Sequence, residues 1–232
     1  MSDAPEPRTN VSPQWVALRL RGGDALSFLQ GQVTCDVVGD QGYGALLAPS
    51  SEVLTDFWWH RIEDGVELVL RAECGEVALA RLRRFALRVD VAFELESRDE
   101  GPYASPEEQV RRGLPGPAEF AASLSPRSFG DAFVDATVSF TKGCYTGQEL
   151  VARLDARNAN VPFHVVSFRA PAGADLSVVG RGPEGGPQGV TTSVAENEAI
   201  VGLAVIHRSL TTEAALEQGV TITPLRYLVD AS

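Results

Sequence analysis

The order in which apolar periodicity changes along residues 15–96 leaves few folds open to this chain. Trp15-Val-Ala-Leu-Arg-Leu20 reads as a strand broken by Gly22-Gly23, and Asp24 is placed to cap a short helix that runs to Gln30 and stops at Gly31. Residues 43–48 and 53–62 read as two strands joined by the turn Pro49-Ser-Ser-Glu52, with a third strand at 66–70 after Glu63-Asp-Gly65. From Gly75 to Leu87 the period lengthens, and Ala78, Leu82, Phe85 and Ala86 form a helical stripe. Val89, Val91, Phe93 and Leu95 then alternate with Asp90, Ala92, Glu94 and Glu96, the pattern of a half-buried strand. Strand, helix, strands, helix, strand predicts an α+β fold: a ferredoxin-like split β-α-β unit with one extra strand in an antiparallel sheet. Helices on one sheet face leave the other free for a ligand or a further layer.

The pattern then loosens. Ser105-Pro106-Glu107-Glu108 combines a capping box with proline at the first helical position, and Gly113 follows that helix. Residues 114–140 are rich in Pro, Gly and Ser and predict little regular structure; a loop of that length shapes a site or wraps a surface. After Asn158-Ala-Asn160-Val-Pro162 come short strands at 163–168, 188–194, 199–206 and 220–229, which predict a small C-terminal β-barrel. About 70 residues is thin for independent stability, so this module is expected to pack on the first. The expected division is a flexible 1–13, an α+β region at 14–160 and the barrel at 161–232.

Composition narrows the function classes. The chain is 44% hydrophobic and 22% charged, which supports a sizeable core. A net charge of −11, from 20 basic and 31 acidic residues, argues against a broad nucleic-acid surface. Cys35, Cys74 and Cys144 form neither a disulfide framework nor a zinc pattern and suit a reducing compartment. The start is polar, with no apolar signal region, and no apolar run approaches the ~18–20 residues that span a bilayer. A cytoplasmic protein without a membrane segment is expected.

Chemistry concentrates in Lys142-Gly-Cys-Tyr-Thr-Gly-Gln-Glu149. Leu150, Val151 and Leu154 follow on one helical face, and Thr146 stands three residues before Glu149, so a capped helix is expected to begin near Gly147. Cys144 would precede that N-terminus, with Lys142 two residues away. Both features favour a thiolate and would attract a carboxylate-bearing ligand. The alternative is a small buried cysteine in an ordinary loop before a helix. Asp56, in Thr55-Asp-Phe-Trp-Trp59, reads either as an acceptor beside stacked heterocycles or as an exposed residue alternating with core aromatics. Asp36 is a loop ligand or a turn former, and Arg153 is spaced for an i, i+4 pair with Glu149. His60, His164 and His207 share no ligand spacing and read as structural.

The motif, continued by Val151-Ala-Arg153, resembles the signature of YgfZ-type folate-binding proteins, which are related to the aminomethyltransferase (T-protein) of the glycine cleavage system. Gly23-Asp-Ala-Leu-Ser-Phe-Leu-Gln-Gly-Gln-Val-Thr34, the hairpin from Ala48 to Asp56, the Gly113-Leu-Pro115 corner and Gly189-Val-Thr-Thr-Ser193 are similar to further segments of that family. The resemblance implies a ring-like arrangement around a tetrahydrofolate-sized cavity and a role in assembling or maintaining iron–sulfur proteins, including tRNA-modifying enzymes. It implies ligand contacts by Lys142, Gly143, Cys144, Tyr145, Gly147, Gln148, Glu149, Arg153, Asp36 and Arg111. Cys144 would be a redox or ligand thiol, and Asp56 a candidate catalytic carboxylate.

Several positions depart from that family pattern. Thr55-Asp56 replaces a pair of aspartates, Cys35-Asp36 replaces Asn-Asp, and Ser50 and Ser51 replace a lysine and a glycine. Arg111 occupies the place of a glutamate that holds the pterin ring, and an arginine accepts no hydrogen bonds. Asn160-Val-Pro-Phe163 replaces basic residues. Three readings follow: a folate-binding accessory protein for iron–sulfur enzymes, a folate-dependent one-carbon transferase using Asp56, and a folate-free protein scaffold.

Overall fold

The computed structural model describes residues 14–102, 105–156 and 161–225. The expected flexible stretch 1–13, the break at 158–160 and the end of the last expected strand lie outside the described residues. Strand β1 (Trp15–Arg21) is followed by helix α1 (Ala25–Gln30), strands β2 (Gln41–Leu47), β3 (Val53–Ile62) and β4 (Gly65–Arg71), helix α2 (Ala72–Phe85) and strand β5 (Ala92–Arg98). The five strands form one sheet in the order β2-β3-β4-β1-β5, and every paired neighbour is antiparallel. Without the edge strand β2, the order β5-β1-β4-β3 is that of a split β-α-β unit.

This sheet is buried on both faces, which is why β4 reads as a nearly unbroken apolar run. On one face Leu18, Leu20, Phe57, Trp59 and Leu68 pack against Phe28 and Leu29 of α1 and Ala78 and Leu82 of α2. On the other face Trp15, Ala45, Leu47 and Val69 meet a second layer built from later parts of the chain. The start of α1 is fixed from outside the helix. Asp24 makes no capping bond to its own helix; its carboxylate accepts from Asp90 N at 2.8 Å, and Asp90 in turn accepts from Gly23 N at 3.0 Å.

The second layer corrects the expectation for residues 114–140. After α3 (Pro106–Arg111), capped by Ser105 as expected, the chain forms α4 (Pro117–Phe120), a 3-10 turn (Pro126–Phe129) and α5 (Asp131–Thr137). Phe129 and Phe133 are fully buried, with ring centroids 4.9 Å apart, and Phe120 lies 5.7 Å from Phe129. These short elements are held by aromatic packing rather than by their own periodicity. The strand expected from Val89 begins later, at Ala92. Leu87 is exposed, and Arg88 adopts a left-handed φ of 61°, which turns the chain before pairing resumes.

Helix α6 (Gln148–Ala156) leads to β6 (Phe163–Pro171), β7 (Gly189–Glu196), β8 (Ala199–His207), α7 (Thr212–Leu216) and β9 (Thr221–Pro224). Of the expected small β-barrel, the described residues show a four-stranded antiparallel sheet in the order β7-β8-β6-β9, which does not close among them. Val165, Leu203, Val205 and Leu225 from this part share one core with Phe129, Phe133 and Val151. Among the described residues no helix is long and apolar enough to cross a membrane.

Because Phe129 joins both sheets through that shared core, Phe129→Ala is expected to lose about 3–5 kcal/mol of unfolding free energy. Urea denaturation followed by tryptophan fluorescence measures it. A loss below 1 kcal/mol would show that the aromatic cluster is not a structural centre.

Candidate functional site

The motif loop is tied across the α1–β2 connection by backbone and side-chain bonds. Ser139 N donates to Thr34 O at 2.9 Å and Thr146 N to Gly31 O at 3.2 Å. Between these two anchors the Lys142 ammonium points inward. Its Nζ donates to the carbonyls of Gln30 at 2.6 Å, Val33 at 2.8 Å and Cys35 at 2.6 Å. Three donors meet three acceptors, so the group is satisfied although buried. Burial pulls its pKa below the ordinary lysine value, against the opposing charges of Cys35 and Asp36. Nζ also lies 5.2 Å from the Tyr145 ring, whose phenol burial pushes up to about 12.

This geometry corrects two readings of the motif. Lys142 is turned towards backbone carbonyls, with its donors engaged, rather than towards a ligand carboxylate. Helix α6 begins at Gln148, next to the expected start at Gly147, and Cys144 precedes it in the loop. Thr146 and Glu149 also form no capping box: the threonine hydroxyl donates to Gln32 Oε1 at 3.3 Å, and Glu149 pairs with Arg153 at 2.5 Å, as its spacing suggested. The Cys144 thiol is exposed, whereas Cys35 and Cys74 are buried.

A groove of about 440 Å³ runs beside the loop, lined by Pro49, Ser51, Tyr145, Gly147, Gln148, Glu149 and Ala152. Two backbone conformations shape it. Gly147 has φ +88°, and a Cβ there would sit 2.9 Å from Ala48 O, so only glycine lets the motif approach the hairpin. Ser51 holds a left-handed φ of 78° without being glycine. Its hydroxyl offsets part of that strain by donating to Gly147 O at 2.6 Å.

The remaining sequence candidates lie apart. Asp36 is exposed and accepts from Gln30 Nε2 at 2.7 Å. Asp56 is 4% exposed, which overturns its reading as a solvent-facing residue; its carboxylate accepts from the Tyr43 hydroxyl, and the Tyr43 ring lies 4.7 Å from that of Trp58. Gly143 meets nothing within 4 Å of an added Cβ. Arg111 is half-exposed and faces Glu196 of β7 at 3.7 Å.

A second cavity, of about 240 Å³, opens between the two sheets. Arg71, Gln109, Leu114, Glu119, Thr192 and Leu203 are among its walls. Glu119, Gln109 and Arg71 are buried polar residues that sequence reasoning did not single out. Glu119 sits in a stretch read as irregular, and its Thr192 partner is far along the chain, so only its capping-box distance from Gly116 was a signal. Arg81 was missed for a similar reason. Buried at 6% exposure within α2, it donates to Leu47 O at 3.0 Å and to Gln32 Oε1 at 3.1 Å, beneath the motif loop. Among the described residues no cluster of His, Cys, Asp or Glu could hold a metal ion.

Comparison with known proteins gives the same resemblance as the motif. No family model matches the chain. It is 26% identical to the tRNA-modifying protein YgfZ of Cronobacter sakazakii, over 66% of this chain and 69% of that protein. It is 30% identical to the tRNA-modifying protein YgfZ of Aliivibrio fischeri over 102 residues, 40% of this chain and 32% of that protein. In structure it is similar to the glycine cleavage system aminomethyltransferase T of Bartonella henselae, with a TM-score of 0.56, 15% identity, and coverage of 84% of this chain and 76% of that one. That likeness shows a shared fold.

Two outcomes follow from the buried groups. Lys142→Met strands three carbonyls and is expected to lose about 3 kcal/mol or more in urea denaturation. Lys142→Arg is expected to recover little, since a planar guanidinium cannot aim at three converging carbonyls. Burial also raises the Cys35 thiol from 9.0 to about 11. The folded state keeps this proton while the unfolded chain loses it, so the contribution is full below pH 9 and lost as pH rises towards 11. It amounts to about 2 kcal/mol by pH 11. The difference in pH slope between the wild type and Cys35→Ala isolates it from other titrating groups; equal slopes between pH 9 and 11 would rule it out.

Proposed function

We propose that this chain is a folate-binding accessory protein that supports the assembly or repair of iron–sulfur enzymes, tRNA-modifying ones among them, and is not a true aminomethyltransferase. The observation that carries the reading is the motif loop: bonds from Ser139, Lys142 and Thr146 tie it to the α1–β2 connection while Cys144 within it is exposed, and a groove lies beside it. A fixed, accessible thiol suits transient contact with a client protein or its cluster. The likeness to tRNA-modifying YgfZ proteins supports the same direction.

Tetrahydrofolate fits the residues present. The inter-sheet cavity combines apolar walls with a buried acceptor, Glu119, and Gln109 beside it. The folate would supply a flat ring and an anionic tail; this chain's residues would bind and orient it. Against the transferase reading, Thr55-Asp56 offers one carboxylate where adjacent acid–base partners would need two. Asp56 is held by Tyr43 on a buried sheet face, and it lines neither cavity.

Tetrahydrofolate at a hundredfold excess over its Kd is expected to raise the melting temperature by about 5 °C or more. No shift and no calorimetric heat would remove folate from the reading. In cells lacking the gene, iron–sulfur enzyme activities are expected to fall under oxidative stress and to be restored by the wild type but not by Cys144→Ala. Restoration by that variant would leave the loop as a protein contact without thiol chemistry.

A further inference from the structure

The inter-sheet cavity holds a carboxylate whose known bonds do not account for its charge. Glu119 is 1% exposed. Its Oε2 accepts from Gly116 N at 2.7 Å and its Oε1 from the Thr192 hydroxyl at 2.6 Å. Both donors are neutral, and a glutamine or a shorter polar group could serve a helix cap and a tie to β7. Burying an ionised carboxylate is costly unless further donors or a countercharge reach it. Arg71, its guanidinium 4.7 Å from the Trp15 ring, lines the same cavity and supplies positive charge. A carboxylate offers about four lone-pair sites, and two are in use here.

The shape of the space limits what can use the others. Val110, Leu114 and Leu203 give the cavity apolar walls suited to a flat ring. Its volume, about 240 Å³, is below the ~300–1,000 Å³ typical of sites for whole drug-sized ligands. One ring system therefore enters, and any tail stays outside. Arg111 does not line the cavity and faces Glu196; of the two carboxylates among its lining residues, Glu119 is buried and Glu73 is exposed.

We propose that this cavity binds a planar heterocycle through adjacent ring N–H and exocyclic NH2 donors, the 2-aminopyrimidin-4-one edge shared by pterins and guanine, with Glu119 as acceptor. The identification of that ring as a folate's pterin rests on the reading in the preceding subsection. The recognition itself rests on the cavity. Two parallel N–H groups meeting one carboxylate give a bidentate, charge-assisted pair. A ring carrying a carbonyl in place of the amino group would instead direct an oxygen at the carboxylate. Glu119 thereby stands in, from α4, for an acceptor that position 111 does not supply.

Calorimetry on the full chain tests this with pterin, its 2-oxo analogue lumazine, guanosine and tetrahydrofolate, on the wild type and Glu119→Gln. Wild type is expected to prefer pterin over lumazine by about tenfold or more, and Glu119→Gln to lose that preference. A purely structural glutamate would change the melting temperature without changing the preference. If Glu119→Gln does not fold, the wild-type preference alone decides. Tetrahydrofolate binding without pterin discrimination overturns the Glu119 assignment and leaves the folate reading standing. Glu119-dependent binding of pterin or guanosine without tetrahydrofolate binding does the reverse. No binding by any of the four overturns both.

Discussion

The candidate site depends on one buried cation. Lys142 enters a cradle of three carbonyls in a segment that has no regular hydrogen-bonding ladder of its own, and it satisfies acceptors that would otherwise be buried without donors. Everything functional in the loop is positioned relative to that point. Cys144 lies two residues beyond it, Tyr145 turns its ring towards the ammonium, and Gly147 closes on the hairpin through Ser51. The charge remains buried because its donors are matched in number and direction by carbonyls, which is the condition under which an ammonium tolerates leaving water.

Much of the first sheet was legible in the sequence because its signals are local. Strand β3 runs from Val53 to Ile62 as its alternation and flanking turns indicate, and Ser105 caps α3 as its spacing indicates. What escaped was set by contacts distant in sequence. Phe120, Phe129 and Phe133 lie in a Pro- and Gly-rich stretch without period, and they become a core only when the second sheet closes over them. The site followed the same division. The concentration of polar groups at residues 142–149 was evident from composition, but the bonds of Lys142 were not, since its partners are main-chain atoms more than a hundred residues earlier. The exposed alternative for Asp56 fails because alternation on a strand indicates solvent only when one sheet face is free, and here both are covered.

The two cavities divide the chemistry. The groove at the motif is wide, polar and adjacent to an exposed thiol, whereas the inter-sheet cavity is smaller, apolar-walled and centred on a buried carboxylate. The hairpin and α4 connect them: Val53 N donates to Leu124 O just beyond α4, and Ser51 reaches Gly147.

The carbonyl cradle also bears on how such a chain can vary. The hydrogen bonds of Lys142 to residues 30–35 all end on backbone oxygens. A carbonyl is present whatever the residue, so the anchor places a condition on the path of the chain there and almost none on its lettering. Side chains can change through that segment while the loop opposite stays in register, with the backbone acting as the invariant half of the contact.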